Sequence, residues 1–229
     1  MYPWVTHTHS HLGGECPHRC VYCYVDSPRW GRSKRYTGCV KLIEKEFLIN
    51  YDRETLEKDG GKYPGVIFEE HMNDLFALGV QSVDVVRVIG HTDSWVENEY
   101  VFQTKNPARY TSEEWHWPRK IILGTTVETN RNIAGISEAP TPYDRISAMR
   151  RLPKSVKKFI TIEPVLDFDV DILAGWIASV EPFFVNLGAD SKWRGLPEPT
   201  VEKIMRLVSK LAEYGIELRE KHNLKRLKP

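Results

Sequence analysis

The stretch GGECPHRCVYCYV, residues 13–25, carries Cys16, Cys20 and Cys23, and Cys39 is the only other cysteine of the chain. The spacing is C-x3-C-x2-C, close enough for one loop to wrap three thiolates around a single inorganic centre, as iron–sulfur clusters are held. Three thiolates on a four-iron cubane leave one iron without a protein ligand, and an open coordination position is what chemistry at a metal requires. Two other uses of these thiols stand beside that one. A structural zinc site would need a fourth ligand, from Cys39 or a nearby histidine. A thioredoxin-like redox pair would use Cys20 and Cys23 and strand Cys16.

Such groups need elements to position them. Short apolar runs that end in polar clusters recur at 4–10, 65–74, 100–106, 121–130, 158–164 and 183–191, which makes six candidate strands. Helix-like segments alternate with them at 82–89, 170–180 and 200–213; in the last, Val201, Ile204, Leu207, Val208 and Leu211 recur at helical steps before Gly215. Buried strands alternating with helices read as parallel βα units, and parallel sheets carry their active sites at the carboxyl ends of the strands. The polar clusters lie at those ends, which favours an enzyme. Six strands are too few for a closed eight-fold barrel, so the expectation is an α/β fold with an open or partial barrel.

The 229 residues, 41% hydrophobic and 28% charged, suit a single globular domain spanning 1–229. A net charge of +1 gives no global reason to expect a nucleic-acid or membrane partner. No apolar stretch approaches the ~20 residues of a membrane span, and the first residues do not read as a secretory signal. Clustered thiols without such a signal point to a reducing, cytoplasmic setting.

C-x3-C-x2-C with an aromatic residue, Tyr22, directly before the last cysteine resembles the signature of the radical S-adenosylmethionine (SAM) superfamily. Within it, the chain is similar to a group of small phage- and prokaryote-associated proteins distantly similar to spore photoproduct lyase. Trp4, CVYCY, HMNDLF (71–76), FQTKNPARY (102–110), LGTTVETN (123–130), FITIEPVLDFD (159–169), FVNLGADS (184–191) and GIELREKHNL (215–224) carry that closer resemblance. It implies a partial (βα)6 barrel in which Cys16, Cys20 and Cys23 hold a 4Fe–4S cluster. SAM would chelate the fourth iron, and one-electron reduction, from a donor such as flavodoxin or ferredoxin, would cleave it to methionine and a 5′-deoxyadenosyl radical that abstracts hydrogen from substrate.

Carried over residue by residue, the resemblance puts Tyr22 beside the adenine and offers Asn73 and Asp74 for the cofactor's amino group. The superfamily's Gly-Gly-Glu on the second strand is replaced here by EEHMND, and the literal Gly13-Gly14-Glu15 precedes the cysteines and is not that motif. Thr126, Glu128 and Asn130 are candidates for ribose or carboxylate contacts; Glu163, Asn186 and Asp190 for cofactor or substrate. Cys39 is a candidate hydrogen donor, as a cysteine is in the lyase.

Two further groups invite chemistry. His7, His9 and His11 share one face of an extended strand, which suits either a metal or a merely polar face. Arg29, Arg32, Lys34 and Arg35 beside Trp30 and Tyr36, and a basic tail with Arg219, Lys221, Lys225, Arg226 and Lys228, combine positive charge with aromatic rings as nucleic-acid or nucleotide sites do. They equally suit a solvated surface. The rival to an enzyme is thus a nucleic-acid-binding module with a structural zinc or non-catalytic cluster, which leaves the polar strand ends without a purpose. A protein that binds the cofactor without turning it over is the third reading.

Overall fold

The computed structural model describes residues 2–25, 34–58, 60–192 and 194–228; Arg29, Trp30 and Arg32 lie outside them. In chain order the strands are β1 (His7–His9), β2 (Leu12–Gly13), β3 (Lys41–Leu42), β4 (Val66–Glu69), β5 (Glu99–Thr104), β6 (Ile121–Thr126), β7 (Lys157–Ile162), β8 (Phe184–Leu187) and β9 (Glu217–Glu220). The α-helices are α1 (Arg53–Lys58), α2 (Ser82–Asp93), α3 (Pro142–Arg150), α4 (Val170–Ala178) and α5 (Val201–Glu213). Seven strands form one sheet in the order β1-β4-β5-β6-β7-β8-β9, every neighbour parallel, while β2 and β3 pair antiparallel outside it. β1 and β9 are the edges, so the sheet is an open barrel.

Alternation along each strand sorts the core into two layers. Phe68, Val101, Ile122, Phe159 and Phe184 point inward and pack with Tyr2. Ile67, Tyr100, Phe102, Leu123, Ile160 and Val185 point outward and pack beneath the helices. Gly124 makes the inner layer fit: a Cβ there would stand 2.2 Å from the Phe159 ring, its register partner on β7. The N-terminal aromatics close one end of this layer, with Trp4 5.0 Å from Phe184 between ring centroids and Arg219 of β9 3.7 Å from the centre of the Phe184 ring.

The sheet has a seventh strand that the six-strand expectation lacks. β9 is an edge strand of alternating charge, Glu217, Leu218, Arg219 and Glu220, which shields an exposed edge but hides the apolar run that marks interior strands. Helix α3 was likewise absent from the expectation. It starts at Thr141, whose side chain accepts from the Asp144 N–H, with Pro142 in the first turn. Its inward face includes Arg145, 3% exposed, which masks the amphipathic pattern. Among the described residues, no helix is long and apolar enough to cross a membrane.

Gly14, in the literal Gly-Gly-Glu, has φ +82° and passes so close to the Cys39 backbone that a Cβ would meet its carbonyl oxygen at 2.2 Å. Only glycine suits that turn. The triplet therefore shapes the chain's approach to the cysteine loop.

Candidate active site

Parallel strands bring all their carboxyl ends to one side, and there the cysteine loop folds over the barrel mouth. Cys16, Cys20 and Cys23 line one cavity of about 430 Å³. The cavity takes Asn73 and Asp74 from beyond β4, Lys105 from the end of β5, Thr126 from β6, Glu163 from beyond β7 and Asp190 from beyond β8.

Asp74 organises the first wall. Its carboxylate accepts from His18 Nε2 at 2.8 Å and from the Lys105 and Phe76 amides at 2.8 and 3.0 Å. Burial disfavours its charge, but His18 and the other donors outweigh that and hold the carboxyl below its ordinary range. His18 sits between Cys16 and Cys20, so Asp74 anchors the cysteine loop to the strand end. Asn73 donates to the Gly14 carbonyl at 3.1 Å and fixes the approach to that loop. Burial, followed by the charge of Asp74, pushes the Cys16 thiol well above its usual range.

Tyr22 organises the second wall. Its hydroxyl donates to Glu128 Oε1, and Glu128 Oε2 accepts from Arg145 at 2.8 Å. Burial opposes the Glu128 charge, but Arg145, Lys105 and Tyr22 prevail and lower its pKa to about 2. Lys105 Nζ lies 3.5 Å from Glu128 Oε1 and 5.2 Å from the centre of the Tyr22 ring. Burial likewise disfavours the Lys105 charge, yet the Cys20 thiol and Glu128 together raise its pKa.

On the far wall, Glu163 accepts from Lys221 at 2.5 Å and from Asn223 at 2.9 Å. Asp190 accepts from the Lys192 and Arg194 amides at 2.9 and 2.6 Å. Tyr2 donates to Gln103 at 2.9 Å and lies 2.9 Å from the Thr161 hydroxyl, which completes the floor.

Not every candidate reaches the cavity. Glu128 stands behind Tyr22. Asn186 lies behind Thr161, to which its amide donates at 3.3 Å. Asn130 turns outward and exchanges hydrogen bonds with Asp169, its Nδ2 to Oδ2 at 3.1 Å and its Oδ1 from the amide at 2.8 Å. Cys39 is exposed and is not among the lining residues, because the chain turns at Gly38, φ +75°, before β3. Arg35 of the basic loop turns inward, donating to Glu46 at 2.8 Å and to the Ser10 carbonyl, while Lys34 is exposed.

Lys105, Gln103, Tyr2 and Lys221 belong to this site although the sequence alone does not single them out as its members. Gln103 and Lys105 sit in one of the polar strand ends, so a signal existed. Lys221 reads only as one cation of a basic tail, and its place depends on β9.

No family model matches the sequence, and no curated protein matches it. Solved structures do. A spore photoproduct lyase variant superposes with TM-score 0.69 at 10% identity, over 96% of this chain and 78% of that one. A radical SAM methyltransferase from Sphaerobacter thermophilus gives TM-score 0.59 at 17% identity, over 96% and 67%. SuiB of Streptococcus suis bound to S-adenosylmethionine gives TM-score 0.63 at 10% identity, over 98% of this chain and 53% of SuiB, so the chain spans about half of that enzyme. All three are similar in fold to this chain, whose architecture is the radical SAM partial barrel.

Proposed function

We propose that this protein is a radical SAM enzyme in which Cys16, Cys20 and Cys23 hold a 4Fe–4S cluster and the adjoining cavity takes S-adenosylmethionine and substrate. The observation that carries the reading is convergence: three thiols and the polar ends of five parallel strands meet in one cavity, in a fold shared with radical SAM enzymes. The donor set fits the cluster. Three thiols of one loop face the cavity, whereas Cys39, the fourth thiolate that zinc would use, is exposed elsewhere, and His18 is engaged by Asp74.

When bound, the cluster and cofactor supply one-electron reductive cleavage of a sulfonium bond and hydrogen abstraction from substrate. The chain's own residues hold and tune. Asp74, through His18, keeps the cysteine loop over the strand ends. Tyr22 is fixed by Glu128 and Arg145 as an aromatic wall for the adenine. Lys105 supplies positive charge beside Cys20, countering the charge of the thiolates. Glu163 and Lys221 present both signs of charge on one wall, complementary to the amino-acid end of the cofactor, with Asn73, Thr126 and Asp190 as further polar contacts.

A nucleic-acid base or nucleotide is the substrate class this reading favours. Tyr24, Lys192 and Lys221 combine a stacking ring with cations at the cavity, and one solved neighbour is a spore photoproduct lyase complexed with a dinucleoside photoproduct. The electron comes from a small donor protein of flavodoxin or ferredoxin type, in a reducing, cytoplasmic setting.

The test is anaerobic iron, sulfide and zinc analysis of the purified protein, with electron paramagnetic resonance after dithionite reduction, with and without S-adenosylmethionine. About four irons per chain and a reduced signal that changes when the cofactor is added are expected. Zinc bound at the three cysteines with no iron would overturn the enzyme reading. Formation of methionine and 5′-deoxyadenosine then separates turnover from mere cofactor binding.

A further inference from the structure

Behind the cavity wall, on the outward face of β1 and β4, lies a second group of ionisable side chains. His9 and Glu69 are register partners on those strands, His11 and Glu70 follow them in the chain, and His91 reaches in from α2. His9, His11, Glu69 and Glu70 are buried, and Glu69 is only 1% exposed.

The bonding within this group is uneven. Glu70 is well served: its Oε1 accepts from the His11 amide at 2.6 Å and its Oε2 from the Leu12 amide at 3.1 Å. His9 is engaged by Tyr51 and, at 3.0 Å, by Glu46. Glu69 is different. His11 Nδ1 stands 3.4 Å from its Oε2 and 3.2 Å from Glu70 Oε1, yet neither Glu69 oxygen has a hydrogen-bond partner of normal geometry. A carboxylate buried in this way is costly unless a cation meets it. One proton on one imidazole serves two carboxylates poorly; a divalent ion in the same place would neutralise both.

The geometry supplies such a place. Ligand atoms of His11, Glu69 and Glu70 lie within 4.8 Å of one another. We propose that these three residues bind a divalent first-row transition ion of the zinc class, at a centre separate from the cysteines. An imidazole nitrogen with carboxylate oxygens is a donor set that zinc accepts. His11 binds through Nδ1, and its Nε2–H donates to His91 Nδ1 at 2.8 Å. That outer hydrogen bond fixes the tautomer and orientation of the ligating ring. The ion clamps the segment leading into the cysteine loop onto the end of β4. Glu70 also lines the cavity, so the clamp stiffens the wall against which cofactor and substrate would sit.

The experiment keeps this centre apart from the cysteines. Zinc is measured in the cluster-loaded protein, whose cysteines are taken by iron, and in the full-length Cys16→Ser/Cys20→Ser/Cys23→Ser variant after incubation with Zn²⁺ and dialysis. One zinc per chain is expected in both, and Co²⁺ in its place should give the spectrum of nitrogen and oxygen ligands without a thiolate charge-transfer band. Glu69→Gln should abolish stoichiometric retention in both backgrounds. His91→Phe, which keeps all three ligands, should weaken binding about 10- to 100-fold. A folded triple-serine protein that retains no zinc, a thiolate band from its cobalt form, or undiminished binding in Glu69→Gln would each overturn the proposal. Should Glu69→Gln fail to fold, thermal unfolding of the triple-serine protein decides: the midpoint rises with Zn²⁺ over chelator if the centre exists, and an unchanged midpoint overturns it.

Discussion

The Tyr22 hydroxyl donates to the Glu128 carboxylate across 106 residues of chain, joining the cysteine loop to the end of β6. Arg145 of α3 holds the other Glu128 oxygen at 2.8 Å, so loop, strand and helix meet at one buried carboxylate.

That carboxylate makes stability depend on acid. Glu128 has a pKa of about 2 in the folded protein against an ordinary 4.5, so its contribution is complete above 4.5 and is lost as pH falls toward 2. Glu128→Gln leaves Arg145 buried without its counter-charge and is expected to cost about 3–5 kcal/mol at neutral pH. The gap between the two proteins should narrow through that acid range in denaturant unfolding at a series of pH values. A gap that stays constant would separate Glu128 from the acid transition.

Cys20→Ala is expected to remove both iron and cofactor cleavage, whereas Cys39→Ala should retain iron, since Cys39 is exposed away from the cavity. Iron analysis of the two variants checks this. Loss of iron from the Cys39 variant would reassign that residue as a ligand.

Lys105 places a partly buried positive charge beside Cys20. Positive charge near a cluster favours its reduced form. Lys105→Met should therefore lower the reduction potential of the cluster-loaded protein in a titration followed by electron paramagnetic resonance. An unchanged potential would leave Lys105 with only its contact to Glu128.

Gly124→Ala pushes a methyl group into the Phe159 ring and is expected to cost about 1–3 kcal/mol. Phe159→Leu in the same chain should recover part of that loss, so the double variant is more stable than the sum of the two single changes allows. Chemical denaturation of the four proteins measures the coupling. Strict additivity would show that the strain is relieved elsewhere.

Much of this architecture can be read from residue types and spacing. Interior strands such as 121–126 and 157–162 announce themselves as apolar runs, and because they are parallel their polar ends must gather on one side. What cannot be read is which way a residue turns once the strand has ended. Glu128 and Asn130 stand two apart in TVETN, yet one is sealed behind Tyr22 and the other faces outward to Asp169. There the backbone has left strand geometry, with the Val127 amide bonded to Thr161 and the Leu166 amide to the Glu128 carbonyl, so strand alternation no longer applies. β9 and α3 were hidden for a related reason, since their charged residues, Arg219 and Arg145, are engaged in tertiary contacts that local pattern does not record. Lys221 becomes a cavity residue only because β9 carries it alongside β8 to Glu163.

The closed end of the barrel ties the extremes of the chain together. Trp4 packs on Phe184, and the Arg219 guanidinium lies against that same ring, 5.6 Å from the centre of Trp4. During synthesis this end cannot be sealed until residue 219 has left the ribosome. Until then the inner aromatic layer lacks its Arg219 cover, although the six parallel strands before β9 are already made. The cavity end of the sheet, with its cysteine loop, is therefore made well before the Arg219 contact that covers the opposite end.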